Sequence, residues 1–216
     1  MSTGADALRR HLDAGLERMA LDPSPGQREA LIGYVQLLAH WNQAFNLTAV
    51  REPLEMIPRH ILDSLSIAPY VSGADVLDIG TGAGLPGIPL AICDPARRFV
   101  LLDSNGKKVR FVRQAVSVLG LTNLVPVQSR ADAYRAPAKF ATIVARAVAP
   151  LAELRRAADR LTTRPGQLLA MKGRLPHEEL FAPALVHDQI VVHRLAVPFV
   201  EGERHLIELR FARETS

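Results

Sequence analysis

One cysteine, one tryptophan and an aromatic content of 5% put several chemistries out of reach of this 216-residue chain. Cys93 alone supplies neither a disulfide framework nor a thiolate pair for zinc, so no metal is expected. Aromatic residues are too few for the base-stacking platform of single-strand RNA modules, which leaves any RNA contact to arginine and lysine. No apolar run approaches the roughly 18 residues of a membrane span, so no membrane partner is expected. Between Ala5 and Ala20 the apolar residues are interrupted by Asp6, Arg9, Arg10, Asp13, Glu17 and Arg18. That is not the uninterrupted core of a signal peptide, and a cytoplasmic protein is expected. In such a compartment the sequon Asn46-Leu47-Thr48 carries no meaning. Internal repeats, low-complexity tracts and flexible linkers are also missing.

What is present is the balance of a globular protein with a substantial core: 48% hydrophobic and 22% charged residues. The net charge of +4 is compatible with a polyanionic partner but does not require one. Residues 1–72 read as a helical N-terminal extension. Leu8, Leu12, Leu16 and Met19 recur on one helical face. Pro23-Ser24-Pro25-Gly26 breaks that helix, and a second is predicted from about Gln27 to Phe45, burying Leu31, Tyr34, Val35, Leu38 and Trp41. A third starts near Pro53 and carries Ile57, Ile61, Leu62 and Leu65. From residue 73 to 216 short apolar runs alternate with helical stretches. Strands are predicted at Val76 to Ile79, Phe99 to Leu102, Leu124 to Val127, Phe140 to Ala145 and Gln167 to Met171. Gln189 to Leu195 and His205 to Phe211 follow with no helix between them, which suggests an edge hairpin. The expected fold is α/β: a doubly wound, mostly parallel, seven-stranded Rossmann-like sheet of the methyltransferase type, the extension packed on it as one compact unit.

The motif that carries chemistry is Val76-Leu77-Asp78-Ile79-Gly80-Thr81-Gly82-Ala83-Gly84-Leu85-Pro86-Gly87, at the turn from the first strand into its helix. Glycines there let the backbone approach a ligand closely. Pro86 suits a first helical turn. Asp103 ends the next strand, about 20 residues on, where an acid can accept both ribose hydroxyls of a nucleoside. Gly82, Gly84 and Gly87 also match the dinucleotide pattern, so the spacing alone leaves NAD open. The start at Gly80 behind Asp78, the acid Asp132 after the third strand and the closing hairpin favour S-adenosyl-L-methionine.

These residues, with others in order along nearly the whole chain, closely resemble the ribosomal RNA small subunit methyltransferase G family, also called glucose-inhibited division protein B. The resemblance runs through Trp41-Asn42, Asn46-Leu47-Thr48, His60-Ile61-Leu62-Asp63-Ser64-Leu65 and the segment from Asp78 to Pro89. It continues through Leu101-Leu102-Asp103-Ser104, Lys107-Lys108-Val109-Arg110-Phe111, Gln128-Ser129-Arg130, Arg146-Ala147, Lys172-Gly173 and Gly202-Glu203-Arg204-His205-Leu206. It implies a cytoplasmic enzyme that uses S-adenosyl-L-methionine to methylate N7 of a guanine in 16S rRNA, with free rRNA or the small ribosomal subunit as partner. It also implies cofactor contacts from Gly80, Leu85, Ala131, Asp132 and Arg146. Relatives often have glutamate where this chain has Asp132. A monomer is expected.

Guanine N7 bears a lone pair and no proton, so attack on the methyl group needs no general base. His60 and Asp63, three apart, are then read as a buried helix-packing pair. The fourth strand runs into Arg146-Ala147-Val148-Ala149-Pro150 and lacks the Asn/Asp-Pro-Pro-Tyr/Phe loop of amino-group methyltransferases, in keeping with a ring-nitrogen target. Arg146 is a candidate for the methionine carboxylate or guanine O6. Lys172, at the carboxyl end of the fifth strand, is the candidate phosphate contact. Lys107, Arg110 and Arg113, and the group Arg155, Arg156 and Arg160, read as solvated helix faces. Three further readings remain open on the residues alone: a methyltransferase of small molecules or proteins, a non-catalytic ribosome-assembly factor, and a nicotinamide-dependent oxidoreductase.

Overall fold

A computed structural model describes residues 2–185 and 189–212. The extension contains α1 (Ser2–Arg18) and α2 (Pro25–Phe45), followed by a short helical segment in three pieces. Ser24 starts α2 with a reciprocal capping box: its hydroxyl accepts from the Gln27 amide, and the Gln27 side chain accepts from the Ser24 amide. The segment predicted as one helix after Pro53 is α3 (Pro53–Met56), a π-helical turn (Ile57–Leu62) and α4 (Asp63–Leu65). Pro58 lies inside it and has no N–H to donate, and the Asp63 amide reaches back five residues to the Pro58 carbonyl. The wider turn re-aims His60 and Asp63.

The remaining elements are β1 (Asp75–Ile79), α5 (Gly87–Cys93), β2 (Arg98–Asp103), α6 (Gly106–Leu119), β3 (Leu124–Gln128), β4 (Phe140–Arg146) and α7 (Leu151–Leu161). They are followed by β5 (Thr162–Lys172), α8 (His177–Leu180), β6 (Gln189–Arg194) and β7 (His205–Phe211). Seven strands form one sheet in the order β3-β2-β1-β4-β5-β7-β6. The first five are parallel; β7 runs antiparallel between β5 and β6, so the closing hairpin stands at the edge. At the other edge, β3 tolerates Pro126, whose missing donor would break a central ladder.

Successive residues of each central strand enter opposite cores, as a period of two requires. Val76, Leu101, Val144 and Leu169 pack with α1, α2, α5 and α6, among them Leu12, Leu38, Ile88 and Phe111. Leu77, Leu102, Ile143 and Leu168 pack on the other face with Leu151, Leu154, Ala158 and Leu161 of α7. The N-terminal helices share a core with the sheet. Both faces are therefore dry, and the polar chemistry is left to the carboxyl ends of the parallel strands. Among the described residues no helix is long and apolar enough to cross a membrane.

Candidate active site

The glycine loop is fixed from below by Asp78. This carboxyl is fully buried; its Oδ2 accepts from the Thr81 hydroxyl at 2.6 Å and from the Gly87 amide at 2.9 Å. Burial pushes its pKa up to about 6, although both hydrogen bonds pull the other way. Asp78 therefore builds the loop from beneath and does not line the space above it. The Gly80 and Thr81 amides donate to the Leu102 carbonyl at 2.8 and 3.1 Å, tying the loop to β2. From the extension, the buried Tyr34 hydroxyl donates to the Ala83 carbonyl at 2.7 Å.

The three glycines of the turn have different reasons to be glycine. All have positive φ: +68° at Gly80, +61° at Gly82 and +92° at Gly84. A Cβ on Gly80 would meet Val148 at 2.0 Å, and one on Gly84 would meet Ile88 at 2.3 Å. Only at Gly82 is the space open, with no atom nearer than 4.0 Å. Gly80 and Gly84 are thus required by packing within the protein, whereas Gly82 leaves room for something outside it.

Asp103 closes this side. Its Oδ2 accepts from the Gly82 amide at 2.9 Å and its Oδ1 from the Asn105 amide at 2.8 Å. Asn105 in turn caps α6 by accepting from the Lys107 amide at 2.9 Å. The carboxylate is held rigidly by two backbone donors, and each oxygen keeps acceptor capacity for a further partner.

At the end of β4, Arg146 Nη1 donates to Asp63 Oδ2 at 3.1 Å and to the Arg59 carbonyl at 3.2 Å. Arg204, between β6 and β7, approaches Asp63 Oδ1 at 3.3 Å. Burial raises the pKa of Asp63 despite the two guanidinium groups, which favour its charged form. His60 and Asp63 are both buried, as expected, but His60 is hydrogen-bonded elsewhere than to Asp63. Its Nε2 lies 2.8 Å from the Thr48 hydroxyl and its Nδ1 2.9 Å from the Arg59 carbonyl, so Nδ1 carries the proton. Burial, then Arg146, lowers its pKa to about 4. Thr48 is itself set by the Asn42 side chain, which accepts from the Thr48 amide at 2.9 Å.

A cleft of about 930 Å3 opens between these groups, near the top of the range of about 300–1,000 Å3 for small-molecule pockets. Of the residues singled out from sequence, Gly80, Gly82, Leu85, Asp103, Ala131, Asp132 and Arg146 line it. Asp78, Gly84 and Lys172 do not. The Lys172 ammonium is taken up by Glu179, at 3.0 and 3.1 Å, and by the Ala149 carbonyl at 3.3 Å. Glu179 also accepts from the Leu151 amide at 2.6 Å, so this ion pair anchors the start of α7. Asp132 is exposed at the rim and bound to Arg130 through two contacts of 3.1 Å. Sequence reasoning missed Thr48, Lys108, Glu153, Arg156 and Arg160 in the lining. The α7 members recur at helical spacing on one face. That stripe was visible, but what it faced was not. Among the described residues no group of three or more His, Cys, Asp or Glu is placed to hold a metal ion.

The family model described as rRNA small subunit methyltransferase G matches residues 27–207, including the glycine loop, Asp103 and Arg146. The chain belongs to that family. A ribosomal RNA small subunit methyltransferase G from Methylococcus capsulatus is 52% identical over 200 residues, covering 92% of this chain and 97% of the relative. One from Alkalilimnicola ehrlichii is 50% identical over 202 residues, covering 94% and 92%. The fold is also that of a SAM-dependent methyltransferase from Aquifex aeolicus, with a TM-score of 0.54 at 16% identity over 73% of this chain and 93% of that one. Family members thus align along the extension as well as the sheet, so His60, Asp63 and Arg146 all lie inside the matched region.

Proposed function

We propose that the protein transfers a methyl group from S-adenosyl-L-methionine to N7 of a guanine in 16S rRNA of the small ribosomal subunit. The observation that carries the cofactor is the Asp103 carboxylate, held by two backbone amides beside the open space at Gly82. This is the chemistry needed to accept two ribose hydroxyls next to a closely approaching backbone. Gly80, Gly82 and Leu85 would support the methionine and ribose parts, and Ala131 and Asp132 the adenine. When bound, the cofactor supplies an electrophilic methyl carbon on a sulfonium.

The chain's own residues then have to bind and orient. Because N7 has no proton to lose, no side chain need act as a base, and His60 is held neutral by burial and by Arg146. Arg146 has Nη1 fixed by Asp63, while Nε and Nη2 have no partner among the described residues. It lines the cleft and presents those donors to a methionine carboxylate or to guanine O6. Holding nucleophile and methyl group in line is worth roughly 7–11 kcal/mol, enough to make orientation the main catalytic contribution. The relatives' printed name and the family membership support rRNA of the small subunit as the target.

The test combines purified protein, methyl-labelled cofactor and small subunits from cells lacking the endogenous modification. Label in 16S rRNA, with strand scission selective for 7-methylguanine, is the expected result. Cofactor binding without transfer to subunits or free 16S rRNA would reject the substrate reading.

A further inference from the structure

S-Adenosyl-L-methionine carries a sulfonium, an ammonium and one carboxylate, and is therefore a net cation. The cleft proposed to hold it nevertheless carries more cations than acids: Lys108, Arg130, Arg146, Arg156 and Arg160 line it, against Asp103, Asp132 and Glu153. Two of these are neutralised at short range, Arg130 by Asp132 and Arg146 by Asp63. Lys108 and Arg156 have no ion-pair partner among the described residues, and Arg160 donates only to the Ala131 carbonyl, at 2.8 Å. A cationic cofactor does not account for this surplus. An anion does.

Arg156 and Arg160 stand one turn apart on α7, and both are exposed. The opposite face of that helix is buried through Leu151, Leu154, Ala158 and Leu161, so the arginine face cannot rotate away from the cleft. Lys108, in the first turn of α6, belongs to the same lining. Lys172, the phosphate contact expected from sequence, has its charge engaged by Glu179.

We propose that Arg156 and Arg160 of α7, with Lys108 of α6, receive the phosphate backbone of the RNA strand whose guanine enters the cleft. This rests on the rRNA-methyltransferase reading. It gives α7 two roles: its apolar side closes the sheet, and its basic side guides the polyanion. Each lysine or arginine that neutralises a phosphate releases condensed counterions, so the assignment has a thermodynamic signature apart from activity.

The test measures filter retention of 16S rRNA, or small subunits lacking the modification, across a range of potassium chloride. In the Arg156→Ala/Arg160→Ala protein, the slope of log affinity against log salt should flatten by about 1.5, as expected for two lost phosphate contacts. Cofactor affinity measured by calorimetry should be unchanged in Arg156→Ala, which leaves the Arg160–Ala131 hydrogen bond beside the adenine site in place. Arg156→Ala alone, which breaks no hydrogen bond among the described residues, should give about half the effect, and Arg156→Lys should restore the slope. An unchanged slope in the double variant overturns the proposal, and so does weakened cofactor binding with the slope intact. Wild-type protein that binds rRNA with the expected slope but transfers no methyl group would count against the activity, while the phosphate surface would stand on its slope.

Discussion

The wall of the cleft formed by the glycine loop and Asp103 is backbone and carboxylate locked by short hydrogen bonds, whereas the α7 wall presents the exposed side chains of Glu153, Arg156 and Arg160. The first has little freedom left: Asp78 holds the loop from beneath, Tyr34 ties it to the extension, and Asp103 is fixed by two amides. The second keeps side-chain freedom while its helix axis is fixed by a leucine face. A small ligand of defined shape is served by a preorganised cradle, since every bond fixed in advance lowers the cost of binding. A flexible polyanion is served by adaptable point charges.

Substitutions that strike the rigid wall or its supports should cost stability, and those on the α7 face should not. The largest loss is expected for Asp63→Ala, which leaves the Arg146 and Arg204 guanidinium groups together without their shared acid. Breaking a buried ion pair from one side costs about 3–5 kcal/mol, readable by urea denaturation. Next is Gly80→Ala. Left-handed backbone with a Cβ costs roughly 1–2 kcal/mol, and overpacking against Val148 a further 1–3 kcal/mol. Gly82→Ala carries only the backbone cost and fills the open space instead. It should therefore lose less stability than Gly80→Ala but lose cofactor affinity; equal stability losses would erase the distinction between the two glycines.

Acid should expose the buried histidine. His60 titrates at about 4 in the fold against about 6.5 unfolded, so the unfolded chain takes up the proton first. Its contribution is intact above about pH 6.5 and is lost as pH falls toward 4, a loss of up to about 3 kcal/mol. Asp78 works in the opposite sense, since its raised pKa favours the fold at low pH and loses that contribution as pH rises through about 6. Denaturation of wild type and His60→Asn at several pH values separates the two, with the change in their stability difference confined to the window from about 6.5 to 4. The smallest effect is expected for Lys172→Met. It removes a partly buried ion pair at the start of α7 and should cost about 1 kcal/mol, while leaving the salt dependence of RNA binding unchanged.

The strand pattern and the sheet class were readable from sequence because each is local. The glycine loop follows directly on the strand whose alternation splits Val76 from Leu77, and Asp103 closes the next strand. What was not readable depends on distant partners. Asp63 meets Arg146 and Arg204 only after the π-helical turn at Pro58 re-aims it, and helical spacing grouped it with His60, which is hydrogen-bonded elsewhere. Lys172 stands at the strand end where ligand contacts are expected, but nothing in its neighbourhood announces that Glu179 takes its charge. The α7 arginines had a visible period, yet a polar helix face looks the same whether it borders solvent or a cleft.

The division of the cleft is tested most directly by calorimetric titration of S-adenosyl-L-methionine into wild-type, Asp103→Ala and Arg156→Ala proteins. Loss of the charge-assisted bonds at Asp103 is worth about 1.5–3 kcal/mol, so that variant should bind roughly 10- to 150-fold more weakly, and Arg156→Ala should bind as wild type does. Unchanged affinity in Asp103→Ala, or a comparable loss in Arg156→Ala, would contradict the assignment of one wall to the cofactor and the other to RNA.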